Sequence, residues 1–223
     1  MFQYLSVEEL FPTPLWVIDL DKGPSERLNR DLMHDIHRLT EPREPVGIGG
    51  SWQTDPILHR LPEFADFMSL VRKAAKGAVD FLDIEYRDFA VTGCWANINP
   101  PGGKNSSHTH PNNYISGVYY VRVPESSGSI EFTDLRVQAG TIMPRTKKWN
   151  KFTGSKIAVP VKEGRLVLFP AWLNHSVPVN VSDAERVSIS FNIMFTDYTE
   201  SMSPTLWEKG SAPIRKKHAQ PDP

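Results

Sequence analysis

Two hydrophobic spacings divide the chain. Between Ser25 and Leu39 apolar residues recur every three or four positions, as Leu28, Leu32, Ile36 and Leu39. That period lays them on one helical face, and Ser25 suits an N-cap, so a helix is expected over 25–40. A second helix is expected from Pro62 to Phe81, its face built by Phe64, Phe67, Leu70, Val71, Ala74, Ala78 and Phe81. The intervening 41–60, centred on GIGGSWQTDP, reads as loop, and TPLWVIDLD near the start reads as a short extended piece. From Phe89 the period falls to two. FAVTGCWANIN, NYISGVYYVRV, SGSIEFTD, VQAGTIM, KIAVPVKEG, RLVLFPAW, SVPVNV and RVSISFNIMF follow one another, with turn residues between most of them and no helix-length segment among them. Short strands in such a series predict a mainly β fold with flanking helices. Its core is expected to be two packed antiparallel sheets in a jelly roll (a double-stranded β-helix, cupin-like), not a parallel α/β sheet.

Composition narrows the class further. The 223 residues are 39% hydrophobic, enough for a sizeable core, and 19 prolines suit many loops and strand ends. We expect one domain over 1–202, with its core at about 89–197, and a tail over 203–223 that ends polar, basic and proline-rich and is partly mobile. A net charge of −1 gives no basic excess for nucleic acid or an anionic membrane. The opening MFQYLSVEELFPTPLW lacks a basic segment followed by an apolar one, and no apolar run approaches a membrane span. A cytoplasmic protein is expected. Its lone cysteine, Cys94, excludes an intrachain disulfide and reads as buried and inert.

The candidate chemistry lies in SSHTHPNNYISGVYYV. His108 and His110 are one residue apart, and residues i and i+2 of a strand share a face, so both are placed to reach one metal ion. His175 stands in RLVLFPAWLNHSVPV, and Arg186 opens RVSISFNIMF. Each is a weak signal alone, since a loop histidine is usually a hydrogen-bonding or exposed residue. His34 and His37, three apart on the first helix, read as surface or half-buried residues. The order histidine-x-ligand, distal histidine, arginine resembles the Fe(II)- and 2-oxoglutarate-dependent oxygenases. More closely, FPTPLW, CWANINPPGGKNSSHTHPNNYISGVYYV and GRLVLFPAWLNHSVPVN…RVSISFN resemble a family of small oxygenases of this kind from bacterial and phage genomes. The resemblance runs from about Leu10 to Asn192, and the two histidine-bearing blocks are its specific part.

That resemblance implies Fe(II) and 2-oxoglutarate as cofactor and co-substrate. The iron keeps three protein ligands on one face and leaves three positions open for the keto acid and oxygen. It implies His108, His110 and His175 as metal ligands. The far C5 carboxylate then needs a fixed cation, which Arg186 supplies, with Ser188 and Tyr120 adding hydroxyls and Asn97 lining the pocket. Arg186, Ser188 and Ser190 share a strand face, as do Ser116, Val118 and Tyr120. Tyr120 has an alternative reading as a core aromatic. Asn97 and Asn99 have one as structural strand-end residues, and Trp95 and Trp172 read as core packing.

One departure stands out. The commonest oxygenase pattern has Asp or Glu where this chain has His110. Three explanations remain open: a three-histidine facial site; a site of His108 and His175 with water in the gap; or a carboxylate from elsewhere, such as Glu131 or Asp134. Histidine is too bulky for the small residue of a halogenase. The expected activity is hydroxylation of a C–H bond in a small molecule or peptide by molecular oxygen, with release of succinate and CO2. The alternatives are a three-histidine cupin-like dioxygenase without 2-oxoglutarate and a non-catalytic jelly-roll binding module. The two helices are expected to buttress the outer face of the larger sheet, with exposed faces left for a homodimer.

Overall fold

The computed structural model describes residues 3–136, 138, 141–142, 144–148 and 150–201. The alternating run beginning at Phe89 is the backbone of the architecture. It forms β3 (Phe89–Asn99), and the last alternating run forms β10 (Arg186–Phe195). They pair antiparallel along their whole length, Arg186 opposite Asn99 and Phe195 opposite Phe89, with one register shift between Asn192 and Ile193. Around them stand β1 (Trp16–Asp19), β2 (Trp52–Gln53), β5 (Ile115–Arg122) and β8 (Arg165–Pro170), in the order β1-β8-β5-β10-β3-β2. A smaller sheet has the order β4-β9-β6-β7, from β4 (Asn105–His108), β6 (Ile130–Thr133), β7 (Lys156–Val159) and β9 (Asn174–Val177). All strand pairs are antiparallel, the jelly-roll arrangement the alternation predicts.

The two faces of the larger sheet have different jobs. Its outer face carries Cys94, Ala96, Ile98, Tyr119, Val121, Leu166, Leu168, Ile189 and Phe191, packed under α1 (Lys22–Thr40) and α2 (Ala65–Phe81). Phe67 of α2 sets its ring 5.5 Å from Tyr119 and 6.5 Å from Phe191. Tyr119 also donates its hydroxyl proton to Asn29 of α1 at 2.7 Å, so its one buried polar atom is satisfied. The inner face carries Val118, Tyr120, Val167 and Phe169 against Ile130, Phe132 and Leu173. That smaller apolar cluster fills only part of the space between the sheets. The remainder is lined by buried polar residues, among them Asn97, Asn99, His175, Arg186 and Ser188.

Local readings differ from the structure at identifiable places. The first helix starts at Lys22 after Asp21, not at Ser25; Ser25 is buried within it and bonds the Lys22 carbonyl. Leu39 and Phe81, expected on apolar faces, are exposed at helix ends. Short 3-10 turns at Leu58–Arg60 and Pro62–Phe64 lead into α2. The loop around GIGGSWQTDP contains β2, two residues long. NSSH forms a strand without any apolar alternation, because β9 pairs along it. In SVPVNV the strand is shifted towards its start and takes in His175. VQAGTIM falls partly outside the described residues; of those described, Gln138 lies in a 3-10 turn and Thr141 and Ile142 in a turn and bend. After α3 (Thr196–Ser201) the expected tail over 203–223 lies outside the described residues. No helix among the described residues is long and apolar enough to cross a membrane.

Candidate active site

Three histidines meet at one end of the space between the sheets. His108 closes β4 and sits directly opposite His175 of β9; His175 in turn pairs with Phe132 of β6 on its other side. His110 lies beyond the strand, so strand alternation does not place it. Its backbone N–H donates to the Ala171 carbonyl at 2.9 Å, which pins the turn after β4 to the turn after β8. The three rings lie with centroids 4.3 Å (His108–His175), 5.0 Å (His108–His110) and 5.1 Å (His110–His175) apart. One ligand nitrogen from each falls within 4.8 Å of the others. His175 is buried, His110 half-buried and His108 exposed, so the cluster is walled on one side and open on the other.

Hydrogen bonds fix how two of these rings present themselves. His108 Nδ1 donates to the Ser106 carbonyl at 2.7 Å, and His175 Nδ1 to the Leu173 carbonyl at 3.0 Å. In each ring Nε2 is left with its lone pair, the arrangement of a histidine held ready for a metal. Burial holds the His110 imidazole down at about 3, helped by His175 and His108, and holds His175 down at about 4. Both are therefore neutral near pH 7, the state a metal ligand needs. Phe169, with its centroid 4.7 Å from His175, and Phe132 at 6.1 Å supply the apolar wall.

The inner faces of β3, β10 and β5 bring the other candidates side by side. Asn99 stands opposite Arg186; Asn97 opposite Ser188, which is opposite Tyr120; and Trp95 opposite Ser190, which is opposite Val118. Arg186 is 1% exposed, its guanidinium carbon 5.1 Å from the Tyr120 ring centre. Its Nη1 donates to Asn99 Oδ1 at 3.4 Å, while Nε and Nη2 have no partner, nor has the Tyr120 hydroxyl. Burial lowers the Arg186 pKa, yet a guanidinium keeps its proton. Burial likewise pushes the Tyr120 hydroxyl up to about 12, against the pull of the Arg186 charge. Two buried guanidinium nitrogens and a buried hydroxyl without hydrogen-bond partners are costly, and together they make a receptor for an anion. A carboxylate fits: it accepts several hydrogen bonds and neutralises the charge. Tyr120 packs in the inner apolar cluster while its hydroxyl remains unpaired, so the core and site readings of this residue describe its two ends.

Other readings are redistributed. Asn97 lies on the inner face, but its Oδ1 already accepts from Gln53 at 2.7 Å and its Nδ2 donates to Ser190 at 3.0 Å. Trp95 is not core packing; it is half-buried with its ring 5.7 Å from His110. Trp172 is 55% exposed, also outside the core. Glu131 pairs with Lys156 at 2.5 Å and Asp134 with Arg136 at 2.6 Å, so neither carboxylate joins the histidines. His34 is exposed and His37 half-buried, and Cys94 is buried with its thiol pushed up by burial. Gln53, Asn105, Phe169 and Asn180 escaped the sequence reading. They are ordinary residue types whose roles depend on partners far away in the chain.

Comparison with known proteins agrees with this geometry. Residues 93–192 match the model of a family described as "Putative 2OG-Fe(II) oxygenase". No curated protein matches the chain. Among solved structures, the chain is similar to the non-heme alpha-ketoglutarate-dependent carbocyclase SnoK from nogalamycin biosynthesis, at 14% identity and a TM-score of 0.60, covering 86% of this chain and 87% of that one. It is similar to a prolyl-4-hydroxylase from Pseudomonas putida at 16% identity and a TM-score of 0.54, over 81% and 92% of the two chains. The epimerase SnoN of nogalamycin biosynthesis is similar at 13% identity and a TM-score of 0.59, over 82% and 79%. At such identities the structural likeness shows a shared fold. The segment that matches this family model holds His108, His110, His175 and Arg186.

Proposed function

We propose that His108, His110 and His175 hold Fe(II), and that Arg186, with the Ser188 and Tyr120 hydroxyls, receives the C5 carboxylate of 2-oxoglutarate. Asn97 sits beside that carboxylate's place as a lining residue. When bound, the iron and the keto acid supply oxygen activation coupled to oxidative decarboxylation, giving succinate, CO2 and one oxygen atom for the substrate. The protein's own part is positional. The Ser106 and Leu173 carbonyls aim two imidazoles. The phenylalanine wall of Phe169 and Phe132 keeps water from the buried side, and the exposed side at His108 admits substrate and oxygen.

The observation that carries this reading is the buried Arg186 guanidinium whose Nε and Nη2 lack acceptors, on the sheet face that also bears Trp95 beside the histidine cluster. A dioxygenase without 2-oxoglutarate has no use for such a cation. A binding module has no use for three converging neutral imidazoles. Hydroxylation of a small-molecule or peptide C–H bond is the outcome we favour. The same fold serves a hydroxylase, a carbocyclase and an epimerase, so substrate placement above His108 and Trp95 decides the outcome.

The test is turnover of 2-oxoglutarate. Protein reconstituted with Fe(II) in air is expected to convert 2-oxoglutarate slowly to succinate and CO2 without added substrate. His175→Ala is expected to abolish this, lowering the rate by at least about a hundredfold, as loss of a ligand removes the metal. Iron-loaded wild type that consumes no 2-oxoglutarate, or a His175→Ala variant as active as wild type, would overturn the assignment.

A further inference from the structure

We propose that Asn99 is a positioning residue that holds Arg186 in the orientation that receives 2-oxoglutarate, without itself touching the keto acid; this rests on the reading of Arg186 given above. Asn99 is 0% exposed and every polar atom of its side chain is engaged. Its Oδ1 accepts from Arg186 Nη1, and its Nδ2 donates to Asn105 Oδ1 at 3.0 Å. Its backbone carbonyl accepts from Asn180 Nδ2 at 3.0 Å. The amide cannot flip without losing both side-chain bonds, so its oxygen must face the arginine.

Three chain segments converge on this one amide. β3 ends at Asn99, β4 begins at Asn105, and the turn between β9 and β10 delivers Arg186. Asn180 builds that turn from within: its Nδ2 also donates to the Ala184 carbonyl at 2.8 Å, and its Oδ1 accepts from the Ser182 backbone N–H at 3.1 Å and hydroxyl at 2.6 Å. The turn is tied back to the β3–β4 connection by backbone bonds from Gly102 to the Asn180 carbonyl (2.7 Å) and from Asn180 to the Gly103 carbonyl (2.8 Å). Among the described residues no carboxylate pairs with Arg186. Asn99 is thus the group that holds one edge of the guanidinium by a neutral contact, leaving Nε and Nη2 turned to the space beside Tyr120. A neutral partner suits this task. It orients the arginine without neutralising the charge that the incoming carboxylate must meet.

The test measures 2-oxoglutarate and iron affinities separately in the full chain. Anaerobic titrations of the Fe(II) protein, followed by the visible band of a chelated keto acid, give the 2-oxoglutarate Kd; a competing chelator gives the iron affinity. Asn99→Ala is expected to raise the 2-oxoglutarate Kd about tenfold with iron affinity unchanged. Asn99→Asp is expected to raise it further, because a carboxylate beside Arg186 competes with that of the keto acid. Asn105→Ala, which removes the amide's other partner and leaves Arg186 untouched, is expected to move the Kd in the same direction by less. A structural role alone predicts a lower Tm with an unchanged Kd, or iron and 2-oxoglutarate lost together, and either result overturns the proposal. Should wild type itself fail to bind 2-oxoglutarate, the reading of Arg186 falls first and the inference with it.

Discussion

Burial sets three of the described histidines below their ordinary value, and only two of them, His110 and His175, lie in the cluster. The third, His59, is held down at about 4 chiefly by desolvation, with Arg60 and Arg72 adding to it. Its Nε2 accepts from Arg60 Nε at 3.3 Å, as a neutral ring can. His59 stays neutral in the fold while the unfolded chain takes up a proton near 6.5, so the unfolded state binds more protons in between. Its contribution to stability is whole above about pH 6.5 and drains away as pH falls towards 4. Replacing it with leucine should lessen the fall in stability between pH 6.5 and 4, leaving the part due to His110 and His175, as measured by urea unfolding at a series of pH values; an unchanged slope would contradict the assigned shift. Individual residues were legible in the sequence in proportion to how local their roles are. The order of His108, His110, His175 and Arg186 along two motifs singles them out as candidates, and the fold brings the three histidines together. Asn99 was visible as a strand-end amide, but its grip on Arg186, Asn105 and Asn180 follows only from the register of three separate segments.

At the scale of elements, periodicity served well where a face is buried and failed where pairing alone makes the structure. β3 and β10 were readable end to end because their alternate residues face helices on one side and the site on the other. β4 was unreadable, since Asn105, Ser106, Ser107 and His108 bury no apolar row. It exists because β9 pairs with it and because Ser107 bonds Asn174 across the gap. In VQAGTIM the described Gln138, Thr141 and Ile142 lie outside any strand, and Ile142 is 82% exposed. Close approach between elements also leaves a testable mark at Gly117 of β5. A Cβ there would lie 2.3 Å from Phe191 Cζ, so the ring of β10 lies flat over bare backbone. Gly117→Ala should cost about 1–3 kcal/mol by overpacking, read from the midpoint of denaturant unfolding. Pairing it with Phe191→Leu should recover part of the loss, and a Gly117→Ala protein as stable as wild type would refute the contact.

On the scale of the whole molecule, one sheet faces two environments. Helices seal its outer face with apolar packing, and its inner face divides between a small apolar cluster and a polar chamber. The strand at the chamber's centre, β10, is rigidly paired on both sides and holds Arg186, while the histidines come from the smaller sheet and the turns beside it. With the cation on one sheet, two histidines on the other and His110 in the turn after β4, the chamber width is set by the packing of the two sheets and by that turn. Strand periods sufficed to predict this two-sheet architecture. The chamber's chemistry depended on which residues the fold leaves unsatisfied, and sequence does not state that.

The most direct measurement is therefore anaerobic absorption spectroscopy of the intact protein with Fe(II), then 2-oxoglutarate. The account predicts that a visible charge-transfer band appears when the keto acid is added to the iron protein. It predicts that Arg186→Ala needs at least about tenfold more 2-oxoglutarate to reach the same band, as loss of a charged, multiply bonded partner should require, and that His110→Ala weakens the band by loosening the iron. Iron bound by the histidines with no band at saturating 2-oxoglutarate, or an Arg186→Ala variant that titrates like wild type, would contradict the claim that this chamber holds both.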